Sequence, residues 1–228
     1  MTRVLIVTPC FNQGAFLEDA IRSCIAQTLP EWQLVIVDDG SKWSESRAIH
    51  KAVRVHDDSR VFEYYSDHGN RGSAWARNLG VMLGDPGADW IVPLDADDML
   101  APSHLETMLA MVGRAGFAYC DYREFGEREG RLCAGDWRAV RERNTIHHGG
   151  ALISRRMWDT LGGYNPRLRY SEDWDFWLRG VHAGFVGQHV EATLYRYRRH
   201  PGSKMKTGPT LAGRRQAIAA TNPEVFRE

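Results

Sequence analysis

Four short apolar runs, at residues 4–7, 34–37, 61–65 and 90–94, alternate with stretches of helical periodicity, and this alternation limits the fold more than any other feature. After the first run, Phe16, Leu17, Ala20, Ile21, Cys24 and Ile25 recur at three- and four-residue spacing, drawing one apolar stripe along a helix over 16–27. Residues 44–55 and 73–83 behave similarly. Strand and helix in this order predict the α/β class: a Rossmann-like, doubly wound, mostly parallel sheet with right-handed crossovers. All loops that come after strands then open on one edge, where such sheets bind ligands.

Beyond Asp98 the pattern changes. Residues 104–112 read as a helix after Pro102, 117–125 as a strand that turns through Glu129-Gly130 into 131–133, and 171–183 as a helix with Trp174, Trp177, Leu178 and Val181 on one stripe. This smaller half reads as mixed or antiparallel. Residues 123–143, rich in Arg, Glu and Gly with little period, read as a mobile surface loop. At 228 residues the chain suits one domain, 1–206, with halves 1–100 and 101–206 and a loosely structured tail over 207–228.

The 29 basic and 29 acidic side chains cancel, which argues against a nucleic-acid partner held by a general positive field. Cys10, Cys24, Cys120 and Cys133 lack CxxC spacing, so neither a zinc site nor a disulfide framework is indicated, and a reducing compartment fits. No signal-peptide core or membrane-length apolar stretch is present, so a cytoplasmic protein is expected. The eight tryptophans suit core filling, with peripheral contact to a membrane as the alternative use.

Each strand end carries a polar cluster. Thr8-Pro9-Cys10-Phe11-Asn12 comes after the first strand and Asp38-Asp39-Gly40-Ser41 after the second; each alone is an ordinary turn composition. Gly69-Asn70-Arg71-Gly72-Ser73 leads into a helix that carries Arg77, offering backbone N–H groups and guanidinium groups to an anion. After the fourth run come Asp95, Asp97 and Asp98, three like charges that a protein keeps cheaply only when they are solvated or neutralised by a cation.

Taken in order and spacing, Thr8-Pro9 with Asn12 and Phe16-Leu17, Val35-Ile36-Val37-Asp38-Asp39-Gly40-Ser41, Asn70-Arg71-Gly72 with Ala76-Arg77-Asn78-Leu79-Gly80, and Leu94-Asp95-Ala96-Asp97-Asp98 resemble the family 2 glycosyltransferases of the GT-A fold. The resemblance covers roughly residues 3 to 204. It implies a nucleotide-sugar donor, UDP-sugar by default, with Asp39 toward the base, Asp95 toward the ribose or sugar, and Asp97 on a Mn²⁺ or Mg²⁺ ion that bridges the diphosphate. A hard cation held by one or two carboxylates suits an Asp-x-Asp site.

Ser171-Glu172-Asp173 resembles the family's Glu-Asp motif, which makes Asp173 the general base of an inverting transfer and Glu172 an orienting residue. The competing reading is local: Ser171 caps the helix and the acidic residues favour its dipole. Asp175 is read as a surface charge and Asp98 as a cap for the next element. Arg199, His200 and Lys204 resemble a segment that closes over the diphosphate, with His200 near the metal; Arg196 and Arg198 read as the solvated basic face of a strand. His148 and Gly149 lie where the family builds part of the acceptor site, and Gly162 reads as a helix C-cap. The expected acceptor is a hydroxyl on a glycan, a lipid-linked intermediate or a small molecule, selected by 123–143. A non-catalytic module of the same fold and a sugar-phosphate nucleotidyltransferase are the competing functions; no pyrophosphorylase-like Gly-rich signature supports the latter. The absent Gln-x-x-Arg-Trp segment speaks against a processive synthase.

Overall fold

A computed structural model describes residues 2–202 and 208–226. Its first half runs β1 (Val4–Cys10), α1 (Gly14–Ile25), β2 (Trp32–Asp38), α2 (Trp43–His56), β3 (Val61–Tyr65), α3 (Ser73–Leu83) and β4 (Trp90–Pro93). The second runs β5 (Met99–Leu100), α4 (His104–Val112), β6 (Phe117–Gly126), β7 (Gly130–Leu132), β8 (Leu152–Ser154), α5 (Arg155–Leu161), α6 (Glu172–His182), β9 (Gly187–Arg199) and α7 (Leu211–Thr221). Among the described residues one sheet has the order β3-β2-β1-β4-β8-β6-β9-β5, with β7 paired to β6. The β3-β2-β1-β4 block is parallel, as the alternating pattern predicts. β8 enters antiparallel between β4 and β6, while β6 and β9 are parallel and β5 is antiparallel to β9.

The sheet is buried on both faces because alternate strand residues feed two cores. Val4, Ile6 and Cys10 of β1 pack with Leu17, Ile21 and Cys24 of α1, Ile49 of α2 and Leu105 and Met108 of α4. Leu5 and Val7 point the other way, into the layer that holds Ala74, Ala76 and Val81 of α3, Met157 and Trp158 of α5, and Trp174, Phe176 and Trp177 of α6. Most of the tryptophans thus fill core, although Trp43 is exposed. No helix among the described residues is long and apolar enough to cross a membrane. Gly162 takes the left-handed conformation that closes α5.

Four readings of the sequence are corrected. The expected hairpin forms between β6 and β7, but the rest of 123–143 is not a mobile loop: a 3₁₀ turn, Trp137–Arg141, buries Val140 completely. Single apolar residues set among Arg and Glu leave no period to detect. The tail carries α7, and its Ile218 and the later Val225 are buried against the α6 side of the sheet. Asp175 is fully buried rather than a surface charge, salt-bridged to Arg179 one turn on and accepting from Asn222 of the tail. Arg198 is no solvated side chain; its guanidinium reaches Asp19 on α1 and stacks on Phe16 and Phe125.

Gly80 fixes how closely α3 sits on the sheet, since a Cβ there would lie 2.3 Å from Cγ1 of Val7. Gly80→Ala should therefore force overpacking worth about 1–3 kcal/mol, read as a drop of several degrees in Tm by calorimetry, while an unchanged Tm would contradict this packing.

Candidate active site

The polar loops converge beyond the carboxyl ends of β1, β2 and β4. Asn12 holds a left-handed backbone (φ 53°), a strained state for a residue other than glycine. That conformation aims its N–H at Ser41 Oγ (2.8 Å) and lets its Oδ1 accept from the Lys42 N–H (2.9 Å), so the first loop is fastened to the second. Thr8 is fully buried and its hydroxyl has no hydrogen-bond partner among the described residues; Pro9 beside it is half-buried.

Asp38 and Asp39 divide their work. Asp38 accepts from the Ser41 N–H and the Ser46 hydroxyl and so shapes its own turn. Asp39 reaches the third loop, accepting from the backbone N–H of Arg71 (2.9 Å) and of Gly72 (2.7 Å). Burial raises its pKa and those two hydrogen bonds oppose the rise. The two loops touch at Gly40, where a Cβ would meet Gly69 Cα at 2.6 Å. Asn70 lies within 3.4 Å of Arg169, and the Arg71 guanidinium sits over the Trp75 ring.

At the centre, Arg77 leaves α3 and bridges two carboxylates: Nη2 to Asp95 Oδ1 (2.6 Å) and Nη1 to Glu172 Oε1 (2.9 Å). Glu172 also accepts from the Ser73 hydroxyl (2.6 Å), and the Tyr164 ring lies beneath the guanidinium. The residue read as a ligand for anions is thus a buried tie between the fourth loop and α6.

Asp97 and His200 meet at 2.8 Å (Oδ2 to Nε2), and the imidazole packs on Phe16. Burial, then the charge of Asp95, raises the Asp97 pKa. Asp98 does not cap the next element. It is buried and accepts from the Tyr195 hydroxyl and the Arg198 N–H, both at 2.7 Å, which docks the end of β9 onto the acidic loop. Burial, then Asp97 and Asp95, raises its pKa well above the usual carboxylate value. Among the described residues no group of three or more His, Cys, Asp or Glu side chains is placed to hold a metal ion.

Asp173 stands in the first turn of α6, with Oδ2 accepting from Asn144 Nδ2 (2.8 Å). Burial, then the charge of Glu172, pushes its pKa up to about 6. The helix-capping alternative fails on geometry: Ser171 makes no side-chain cap, adopts φ 62°, and buries an Oγ that has no partner among the described residues. Strain of this kind accumulates at functional sites.

His148, Gly149 and Arg199 each have neighbours within the fold. His148 is buried, its Nε2 is 3.3 Å from the Tyr164 hydroxyl, and burial, then Arg77, holds its pKa well below the usual value, so it is neutral. Gly149 packs where any Cβ would strike the Tyr195 ring. Arg199 pairs with the buried Glu124 of β6. Lys204 lies outside the described residues. Asn144, Ser73 and Glu124 escaped the sequence reading as partners; each needs a fold to bring it to its contact, and only Ser73 carried a signal, its place at the start of α3.

The sequence profile of Glycosyl transferase family 2 matches residues 5–144. Relatives include the putative glycosyltransferase EpsE of Bacillus subtilis, 27% identical over 206 residues, covering 86% of this chain and 73% of EpsE. Chondroitin synthase of Escherichia coli is 27% identical over 200 residues, 84% of this chain but 28% of that protein. Solved structures with the same fold include TarS 1-349 of S. aureus in complex with UDP-GlcNAc, at TM-score 0.79 and 14% identity, over 100% of this chain and 68% of that one. The mannosyltransferase PcManGT of Pyrobaculum calidifontis in complex with GDP-Man and Mn²⁺ gives TM-score 0.71 and 15% identity, over 98% and 72%. The fold is GT-A. The chain spans 60% of the length of a further relative, from Rickettsia typhi.

Removing Arg77 leaves Glu172 buried without its cation. Arg77→Met should cost about 3–5 kcal/mol and lower Tm by about 10 °C; a Tm within a degree or two of wild type would refute the bridge.

Proposed function

This chain belongs to glycosyl transferase family 2, and we propose that it moves a sugar from a nucleotide-sugar donor to an acceptor hydroxyl with inversion, using Asp173 as the general base. The observation that carries this reading is the Asp173 carboxylate at the start of α6, its pKa near 6, held by Asn144 beside the Arg77 bridge. A base poised near neutrality is matched to taking a hydroxyl proton at physiological pH. The acceptor oxygen attacks the anomeric carbon as Asp173 takes its proton. The bond from that carbon to the diphosphate oxygen breaks, and its electron pair leaves with the nucleoside diphosphate. An α-linked donor would yield a β-linkage.

A UDP-sugar is the donor of choice, which the UDP-GlcNAc bound by TarS supports, while GDP-Man in PcManGT keeps a guanine donor in view. Asp39 orders the base-side loop through Arg71 and Gly72. Asp97 and His200 would hold the ion, and one carboxylate oxygen with one imidazole nitrogen suits Mn²⁺ better than Mg²⁺. When bound, the ion would neutralise charge on the departing diphosphate. Asp95 is held by Arg77 on the donor side of the bridge. The acceptor is a hydroxyl on a glycan, a lipid-linked intermediate or a small molecule, and the chain is proposed to act in the cytoplasm.

Asp173→Asn should lower transfer, or slow donor hydrolysis, about 10²–10⁴-fold without weakening nucleotide binding by calorimetry; retained turnover would remove Asp173 as base. The wild-type rate should rise about tenfold per pH unit up to about 6 and then level, because the protonated carboxyl cannot accept a proton. A profile flat from pH 5 to 8 would contradict this. Asp97→Ala should abolish the gain in nucleoside diphosphate affinity that Mn²⁺ gives the wild type, and an undiminished gain would displace the ion from Asp97.

A further inference from the structure

Three arginines stand in one transverse row across adjacent strands. In register, Arg123 of β6 lies opposite Arg131 of β7 on one side and opposite Arg196 of β9 on the other. All three, with Thr193, line a cavity of about 250 Å³. Like charges directly opposite one another in a sheet are destabilising, and here the repulsion is counted twice. The chain as a whole has no net charge, so this is a local concentration rather than part of a general positive field.

Little on the protein offsets it. Neither Arg123 nor Arg196 makes a side-chain hydrogen bond or ion pair among the described residues, and both side chains are exposed. Arg131 has Asp121 at 3.3 Å, but that carboxylate is shared, accepting also from His189 Nε2 (2.8 Å) and the Ala134 N–H (3.0 Å). Edge protection does not account for the row either, because β6 and β9, which carry Arg123 and Arg196, are paired on both sides. Nor is the row absorbed by the site above, whose described basic side chains, Arg71, Arg77, Arg199 and His200, each face another group.

We propose that Arg123, Arg131 and Arg196 form an oxyanion site that takes a phosphate group. Planar guanidinium forks arrayed on three strands can each direct two N–H donors at a tetrahedral anion, and the Thr193 hydroxyl adds a neutral donor. The phosphate is carried either by a soluble phosphorylated molecule or by the headgroup of an anionic lipid. None of the large exposed apolar side chains lines the cavity, so recognition is of charge and not of an inserted chain.

The test measures inorganic phosphate binding by calorimetry at constant ionic strength, and co-flotation with phosphatidylglycerol or phosphatidylcholine vesicles, for wild type, Arg123→Gln, Arg196→Gln and Arg123→Lys. The substituted side chains are exposed, and an unchanged Tm certifies each variant. Saturable phosphate binding that weakens about tenfold in each glutamine variant and less in Arg123→Lys supports the site with a soluble ligand. Flotation with phosphatidylglycerol alone, lost in the glutamine variants, supports it with a lipid headgroup. No binding to either probe, or glutamine variants that bind like wild type, overturns it.

Discussion

The arrangement of this molecule depends on one buried cation. Arg77 joins three segments far apart in sequence: its own helix α3, the acidic loop after β4 through Asp95, and the start of α6 through Glu172. Burial opposes its charge, yet the two carboxylates hold it more firmly protonated than an ordinary arginine. A buried ion pair repays its desolvation only with good geometry and further hydrogen bonds. Here the Ser73 hydroxyl donates to Glu172 and the Tyr164 ring faces the guanidinium. The bridge ties the two halves of the chain together, and the candidate base, Asp173, follows directly on Glu172.

Around that bridge the acidic run divides into three roles. Asp95 faces Arg77, Asp97 faces His200, and Asp98 anchors β9 through Tyr195 and Arg198. Three carboxylates that are alike in sequence are thus held by different partners, and the raised pKa values of Asp97 and Asp98 reflect burial combined with mutual repulsion. Strain is distributed on the same map. Of the non-glycine residues with positive φ among the described residues, Asn12 lies in the loop after β1 and Ser171 just before α6, both in the candidate site, and the third, Asp57, merely ends α2.

The parallel half of the fold was readable because its signals are local: short, nearly continuous apolar runs in β1 and β2, buried along almost their whole length, and a 3.6-residue stripe along α1. The second half was less so. β8 and β5 are three and two residues long, too short for any pattern, and their places are set by pairing with β4 and β9. Among site residues, the pairing of Asp97 with His200 was foreshadowed by the family resemblance. The partner of Arg77 was not, because a guanidinium after a glycine-rich loop reads equally as an anion ligand or as an internal tie, and only burial separates the two. Asp175 shows the same ambiguity: a carboxylate in a helical first turn looks solvated until Arg179 and Asn222 are seen to enclose it.

Asp173 is tuned by its surroundings: burial first, and then the neighbouring Glu172, lift its carboxyl to about 6. Carbon-13 NMR titration of the aspartate side-chain carboxyls, in wild type and in Glu172→Gln, measures this directly. The expected midpoint is about 6 for Asp173 in the wild type and lower once the Glu172 carboxylate is replaced. A wild-type midpoint at the ordinary carboxylate value of about 4 would contradict it.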